Sequence, residues 1–177
     1  MNSWISKIGP IMQMAYVPKD FEVAIKYWTE IMGVGPFFYI AESALENTLY
    51  NSTPTPMSFG LALAYWGDMQ IELIKLNDDH PSMFKDWLDN GKSGLHHICV
   101  LTQDMDEARA ICARAGATIL QQSDVSGGGQ VIYVDTGGGD GTILEVLSIV
   151  PETLLGFEFF KQTSKDWDGS EPFRPIG

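Results

Sequence analysis

The feature that most constrains this chain is a short internal repeat. Gln13-Met14-Ala15-Tyr16-Val17-Pro18-Lys19-Asp20-Phe21-Glu22-Val23-Ala24 lies over residues His97 to Ala108 at a constant offset of 84 positions (97 − 13), aligning Gln13 with His97, Asp20 with Asp104, Glu22 with Asp106 and Ala24 with Ala108. Each copy reads as an apolar strand running into a helix that opens on an acid. A unit used twice, with a polar residue at the same strand position in each copy, invites a site between the copies.

The pattern around the repeat predicts two modules. In the first, Ile8 to Val17 is a strand, and alternation puts Gln13, Ala15 and Val17 on one face, with Gln13 its only polar side chain. Asp20 caps a helix over Phe21 to Met32, which Gly33 ends. Gly35 to Ile40 and Leu45 to Tyr50 read as a strand pair, followed by a turn-rich stretch, Asn51 to Pro56. Strands over Ser58 to Tyr65 and Met69 to Leu76 meet at a Gly67-Asp68 turn. The second module repeats the order: strand Leu95 to Thr102, helix Asp104 to Ala115, then strands Thr118 to Gln122, Gln130 to Asp135 and Thr142 to Ile149.

These assignments divide the chain into a βαβββ module over 1–76, a linker over 77–93 with a short helix at Pro81 to Leu88, a second βαβββ module over 94–150 and a helical extension over 151–177. The fold class is α+β. Glycine clusters at 127–129 and 137–141 join strand to strand, with no helix N-terminus behind them to hold a phosphate, so they are turns. The extension carries Leu154, Leu155, Phe157, Phe159 and Phe160 at helical spacing. Packing against the core or a neighbouring subunit is the reading adopted; a lid over a pocket is the alternative.

At 177 residues and 45% hydrophobic, the chain can bury a core of its own. Lys7, Gly9, Pro10 and Gln13 interrupt the N-terminal stretch, so neither a signal peptide nor a membrane span is expected, and cytoplasmic residence is the default. Twenty-three acids against 11 bases give a net charge of −12, which excludes nucleic acid as a partner and disfavours strongly anionic small ligands. Cys99 and Cys112 offer no disulfide framework and read as packing residues.

The second anomaly is a lone carboxylate in each of two apolar strands, Ile71-Glu72-Leu73-Ile74 and Ile143-Leu144-Glu145-Val146-Leu147. A carboxylate in apolar surroundings is costly without a partner. Gln13, Glu72, His97 and Glu145 thus form a set of four, two per module on matching strands, each an oxygen or imidazole donor. Alternation turns the neighbouring His96 away from His97, toward a helix-packed side, as a hydrogen-bonded structural histidine.

The repeat, with His96-His97-Ile98, Gly67-Asp68-Met69-Gln70-Ile71-Glu72-Leu73 and the stretch from Tyr133-Val134-Asp135 through Gly141-Thr142-Ile143-Leu144-Glu145-Val146, resembles the vicinal oxygen chelate superfamily of glyoxalases, bleomycin resistance proteins and dioxygenases. The resemblance covers about residues 8 to 149 and is nearest the methylmalonyl-CoA epimerase and glyoxalase I-like branch. It implies a cupped, partly open, barrel-like mixed sheet, a homodimer, and metal ligands at Gln13, Glu72, His97 and Glu145. Where the epimerase has histidine this chain has Gln13, and between Glu46 and Asp68 it lacks the epimerase's further glutamate. The set Gln, Glu, His, Glu is instead that of animal-type glyoxalase I. Dioxygenases use two histidines and one glutamate, and Gln13 removes one of those histidines, which puts that reading behind.

Such a set suits a divalent ion: Zn, Ni, Co, Mn or Fe. By resemblance to glyoxalase I, Glu145 is the base that takes a proton next to a carbonyl of a small vicinal-oxygen substrate, with Glu72 facing it and the metal stabilising the enediolate. The activity expected is that of a lyase or an isomerase/epimerase. The alternative is a metal-free protein of the same fold that sequesters an apolar ligand.

Overall fold

The computed structural model describes residues 4–176; the outermost ends of the 1–76 and 151–177 segments lie outside them. In chain order the elements are β1 (Ile11–Val17), α1 (Phe21–Lys26) with a π-helical continuation (Tyr27–Ile31), β2 (Phe37–Ile40), β3 (Leu45–Tyr50), β4 (Thr53–Pro54), β5 (Phe59–Trp66), β6 (Met69–Leu76), α2 (Met83–Asp89), β7 (Gly94–Leu101), α3 (Met105–Arg114), β8 (Thr118–Val125), β9 (Gly129–Asp135), β10 (Ile143–Ile149), α4 (Pro151–Lys165) and β11 (Phe173–Ile176). Among the described residues the strands form one sheet of eleven, in the order β11-β2-β5-β6-β1-β7-β10-β9-β8-β3-β4.

The repeat is visible in that order. The run β2-β5-β6-β1 is answered by β8-β9-β10-β7 read from the other side, and the two halves join where β1 pairs antiparallel with β7. Within each half the first strand runs parallel to the last, β1 beside β6 and β7 beside β10. The aligned acids turn out to be helix caps: Asp20 Oδ1 accepts from the Val23 N–H at 3.0 Å and Asp104 Oδ1 from the Glu107 N–H at 2.9 Å. Gly33 and Gly116 follow the two helices in the left-handed conformation, with φ of 64° and 76°.

One expected pairing does not form. The segments at Gly35 to Ile40 and Leu45 to Tyr50 are strands, but not partners: β2 pairs with β5 and β11, whereas β3 crosses to the far edge of the sheet and pairs with β8 and β4. There Leu45 and Tyr50 join the apolar cluster around Phe84, Val131 and Tyr133. Strand β11, which strand patterning did not predict, covers the opposite edge, where Phe173 packs on Phe21 and Tyr39.

Strand alternation then sorts the layers. On the outer face α1 packs on Met14, Tyr16, Ile71 and Leu73, and α3 on Val100, Ile132, Leu144 and Val146. The inner face takes α2 and α4. Phe84 of α2 is fully buried against Phe59 and Tyr133. Phe160 of α4 stacks on Phe38 with ring centroids 4.2 Å apart and belongs to the cluster with Leu63 and Tyr65. The extension is therefore packed against the core, as expected, and its position on the inner face also makes it a wall of the cavity below. Among the described residues no helix is long and apolar enough to cross a membrane.

Candidate functional site

Register places the four polar residues in two facing rows on the inner face. One row runs Leu63, Glu72, Ala15, His97, Ile143 across β5, β6, β1, β7 and β10. The next runs Tyr65, Gln70, Gln13, Cys99, Glu145, Tyr133 and extends to β9. The repeat exchanges the rows, with Gln13 for His97, Ala15 for Cys99 and Glu72 for Glu145. Parallel pairing of first and last strands within each half is what brings residues so distant in sequence side by side.

Glu72, His97 and Glu145 are buried, and one ligand atom from each lies within 4.8 Å of the others. His97 Nε2 is 3.0 Å from Glu145 Oε2 and 3.6 Å from Glu72 Oε2. Tyr133 donates its hydroxyl to Glu145 Oε1 at 3.4 Å. Gln13 is buried beside them; its Nε2 donates to Gln70 Oε1 at 2.7 Å, and its Oε1 has no hydrogen-bond partner. An orphaned buried acceptor is uncommon and calls for an explanation.

Gln13, Glu72 and Glu145 line a cavity of about 160 Å3 whose other walls include Leu45, Phe59, Leu61, Leu63, Leu147 and, from α4, Phe157. Among the described residues no lysine or arginine lines it.

The electrostatics are those of a crowded acidic pocket. Burial pulls the His97 imidazole down, but the Glu145 and Glu72 carboxylates outweigh it and push it up to about 9. Burial and the nearby Glu145 charge raise Glu72 despite its hydrogen bond to His97. Burial also raises the Cys99 thiol and the Tyr133 hydroxyl, with the two carboxylates adding to both. Without an ion, a proton on His97 Nε2 bridges toward the carboxylates.

His96 departs from the alternation expected of it. Ala15 faces His97 while Tyr16 faces Leu95, so His96 is the extra residue of a β-bulge and escapes the outward turn. It is buried against Phe84 and Trp87 of α2, with its Nδ1 3.0 Å from His97 Nδ1. Burial and the neighbouring imidazolium push its pKa down to about 3, against a weak opposite pull from the Met83 backbone. A neutral His96 accepts from the His97 Nδ1–H, which leaves His97 Nε2 facing the carboxylates.

Residues 12–134 match the family model described as the glyoxalase/bleomycin resistance protein/dioxygenase superfamily. The chain belongs to this superfamily. No curated protein matches it. Among solved structures, a hypothetical protein of Bacillus halodurans aligns at a TM-score of 0.58 and 12% identity, covering 80% of this chain and 94% of that one. The methylmalonyl-CoA epimerase of Mycobacterium tuberculosis aligns at 0.56 and 14%, covering 82% and 91%. A variant of the Streptomyces coelicolor methylmalonyl-CoA epimerase, in complex with 2-nitronate-propionyl-CoA, aligns at 0.56 and 15%, covering 81% and 96%. At such identities the likeness is one of fold.

Three residues of this superfamily member's site escaped sequence reasoning. Gln70 carried a signal, as a polar residue two places before Glu72 on the same strand face. Tyr133 reads as an ordinary strand aromatic. Phe84 sits in the linker, and nothing local tells that α2 folds back onto the inner face.

Proposed function

We propose that the protein is a metal-dependent, glyoxalase-type lyase or isomerase that takes a proton from the carbon next to a carbonyl of a small substrate bearing two neighbouring oxygens. The observation that carries this reading is the convergence of three buried donor groups within 4.8 Å, two of which, Glu72 and Glu145, line an apolar cavity together with Gln13, whose oxygen is unpartnered. Two carboxylates, one imidazole and one amide oxygen fit a divalent ion of the Zn, Ni, Co, Mn or Fe class. Bound by Gln13, Glu72, His97 and Glu145, it would polarise the substrate carbonyl.

The chain's own residues supply the rest. Glu145, with Tyr133 donating to its Oε1, is the base we assign, and Glu72 stands across His97 from it as the second carboxylate. The apolar walls hold the substrate body and exclude water, which favours a proton transfer between carbon and carboxylate. With no lysine or arginine on the lining, the substrate lacks strong negative charge, which disfavours a coenzyme A thioester. In the superfamily setting we also expect a homodimer in the cytoplasm, which light scattering and cell fractionation would check.

The test is metal analysis of protein purified without chelator, paired with Glu145→Gln. We expect one divalent ion per chain and loss of turnover of a 2-oxoaldehyde hemithioacetal or related α-hydroxycarbonyl probe on EDTA treatment or substitution. Absence of a stoichiometric ion together with unchanged activity of Glu145→Gln overturns it. A second reading draws on the internal satisfaction of the cluster, where a protonated His97 already bridges toward both carboxylates. Under it the protein sequesters an apolar ligand without metal, and such a ligand would stabilise the protein equally with and without EDTA.

A further inference from the structure

Gln70 is a buried polar group that the proposed chemistry leaves unused. It is fully buried on β6, in the same row as Gln13, and both ends of its amide are engaged. Its Oε1 accepts from Gln13 Nε2 at 2.7 Å, and its Nε2 donates to the Tyr65 hydroxyl at 3.0 Å. The three side chains form a polar file, Tyr65 to Gln70 to Gln13, that ends in an oxygen with no partner.

A primary amide has nearly the same shape whichever way it is turned, so packing does not decide which end of Gln13 meets the cavity. The partner decides. With Gln70 Oε1 held against it, Gln13 must offer its N–H2 on that side, and its oxygen is left on the other. Reversing Gln13 alone would set two carbonyl oxygens against each other at hydrogen-bond distance. Reversing both amides would require the Tyr65 hydroxyl to donate to Gln70. In this structure that hydroxyl instead accepts from Gln70 Nε2 at 3.0 Å, which fixes the sense of the file from its far end. An amide turned the wrong way would present a donor to a cation, so the direction of the file matters to binding.

We propose that Gln70 is a positioning residue that fixes the Gln13 amide with its oxygen toward the metal, and that Tyr65 sets the direction of the file. The inference rests on the functional reading above, which makes Gln13 a ligand. It adds a residue that touches neither ion nor substrate and acts through another side chain.

The experiment measures Co2+ and Zn2+ affinity by chelator competition, and the visible spectrum of the Co2+ form, in Gln70→Leu, Gln70→Glu, Gln13→Leu and the Gln13→Leu/Gln70→Leu double variant. Gln70→Leu removes the acceptor and is expected to weaken binding about 10- to 100-fold and shift the Co2+ spectrum, the range seen when a ligand loses its orienting partner. Gln70→Glu keeps an acceptor facing Gln13 Nε2 and is expected to restore both readouts, which a loss of packing would not allow. The double variant is expected to bind no more weakly than Gln13→Leu, since the two residues act as one unit. Wild-type affinity and spectrum in Gln70→Leu, or losses that add in the double variant, overturn the proposal. Should Gln70→Leu fail to fold, Tyr65→Phe removes the far end of the file and is expected to move the same readouts in the same direction; no movement overturns the proposal equally.

A separate readout distinguishes this from failure of the functional reading. In 15N-labelled metal-free protein the Gln13 Nε2–H2 resonances are expected to exchange slowly in the wild type and rapidly in Gln70→Leu. If the wild type takes no ion, the metal-dependent reading fails, while this exchange still decides whether Gln70 holds Gln13. Slow exchange that persists in Gln70→Leu overturns the role assigned to it.

Discussion

Ala15 and Cys99 stand 84 positions apart (99 − 15) and take the same place in the two facing rows, Ala15 between Glu72 and His97 and Cys99 between Gln13 and Glu145. Both are fully buried. Two small residues at the centre of four long ones leave the space into which the donor atoms point. Cys99→Ala keeps that space, and Cys99→Leu fills it at an overpacking cost of ~1–3 kcal/mol, or roughly 5- to 150-fold if taken from metal binding. We expect calorimetric Zn2+ titration to find Cys99→Ala close to wild type and Cys99→Leu strongly weakened. If Cys99→Ala loses as much affinity as His97→Asn, the thiol is itself a ligand and this account of the two small residues is wrong.

The metal-free protein should lose stability as pH rises from the ordinary histidine pKa of 6.5 toward 9. His97 has a folded-state pKa raised to about 9, so the folded state holds a proton that the unfolded state gives up; its contribution is complete below 6.5 and is lost as pH rises through 9. Glu72 is also raised and acts in the same direction over its own range. His96, lowered to about 3, works the opposite way: it stabilises above 6.5 and is lost as pH falls toward 3. Glu72 and His96 oppose each other below 6.5, so thermal melts in EDTA from pH 6 to 10 should show the alkaline limb. His97→Gln should remove the alkaline limb, and added Zn2+ should do so too, since the ion takes the proton's place. A flat profile from 6.5 to 9 in the metal-free wild type would show that His97 does not carry the raised pKa.

How far the sequence revealed this arrangement depended on the range of the interaction involved. Caps and periodicity are local, so Asp20, Asp104 and most strands were legible from their neighbours. The repeat carried longer-range information, because two copies of one unit must pack by related contacts, and it aligned Gln13 with His97 without any structure. Strand order was another matter. Nothing near Leu45 says that β3 leaves its module for β8, since that choice is made by apolar partners 70 or more residues away, such as Val131 and Tyr133. His96 departs from alternation for a related reason: alternation assumes a regular ladder, and the bulge that breaks it is set by pairing with β1. Gln70 carries a weaker signal, because no repeat partner marks it and the residue it serves, Gln13, lies 57 positions away.

His96 should matter to the metal without touching it. Its Nδ1 lies 3.0 Å from His97 Nδ1, and its depressed pKa keeps it neutral and able to accept. A ligand histidine whose second nitrogen loses its partner typically binds metal about 10- to 100-fold more weakly. We expect that loss in His96→Phe, which preserves packing on Phe84 and Trp87, and a smaller one in His96→Gln, whose side-chain oxygen can accept. The 15N shifts of His97 should report the tautomer directly, with Nδ1 protonated in the wild type. Equal Zn2+ affinity in wild type and His96→Phe would reduce His96 to a packing residue.

Helix α4 should detach without unfolding the sheet. Its principal buried side chain is Phe160, stacked on Phe38 at 4.2 Å, while Leu155 and Phe159 are exposed. No donor of the candidate site lies on it, yet Phe157 and Thr153 line the cavity. Replacing a buried Phe by Ala removes on the order of 3–5 kcal/mol in a closed core, and less where the helix can shift over the gap. Hydrogen exchange of Phe160→Ala should therefore accelerate across residues 151–165 while the amides of β1, β6 and β7 keep their protection. Zn2+ affinity should hold, because every donor sits on the sheet, whereas binding of an apolar fluorescent probe should change as the wall loosens. If β1, β6 and β7 lose protection together with α4, the helix is integral to the core and its role as a separable wall of the cavity falls.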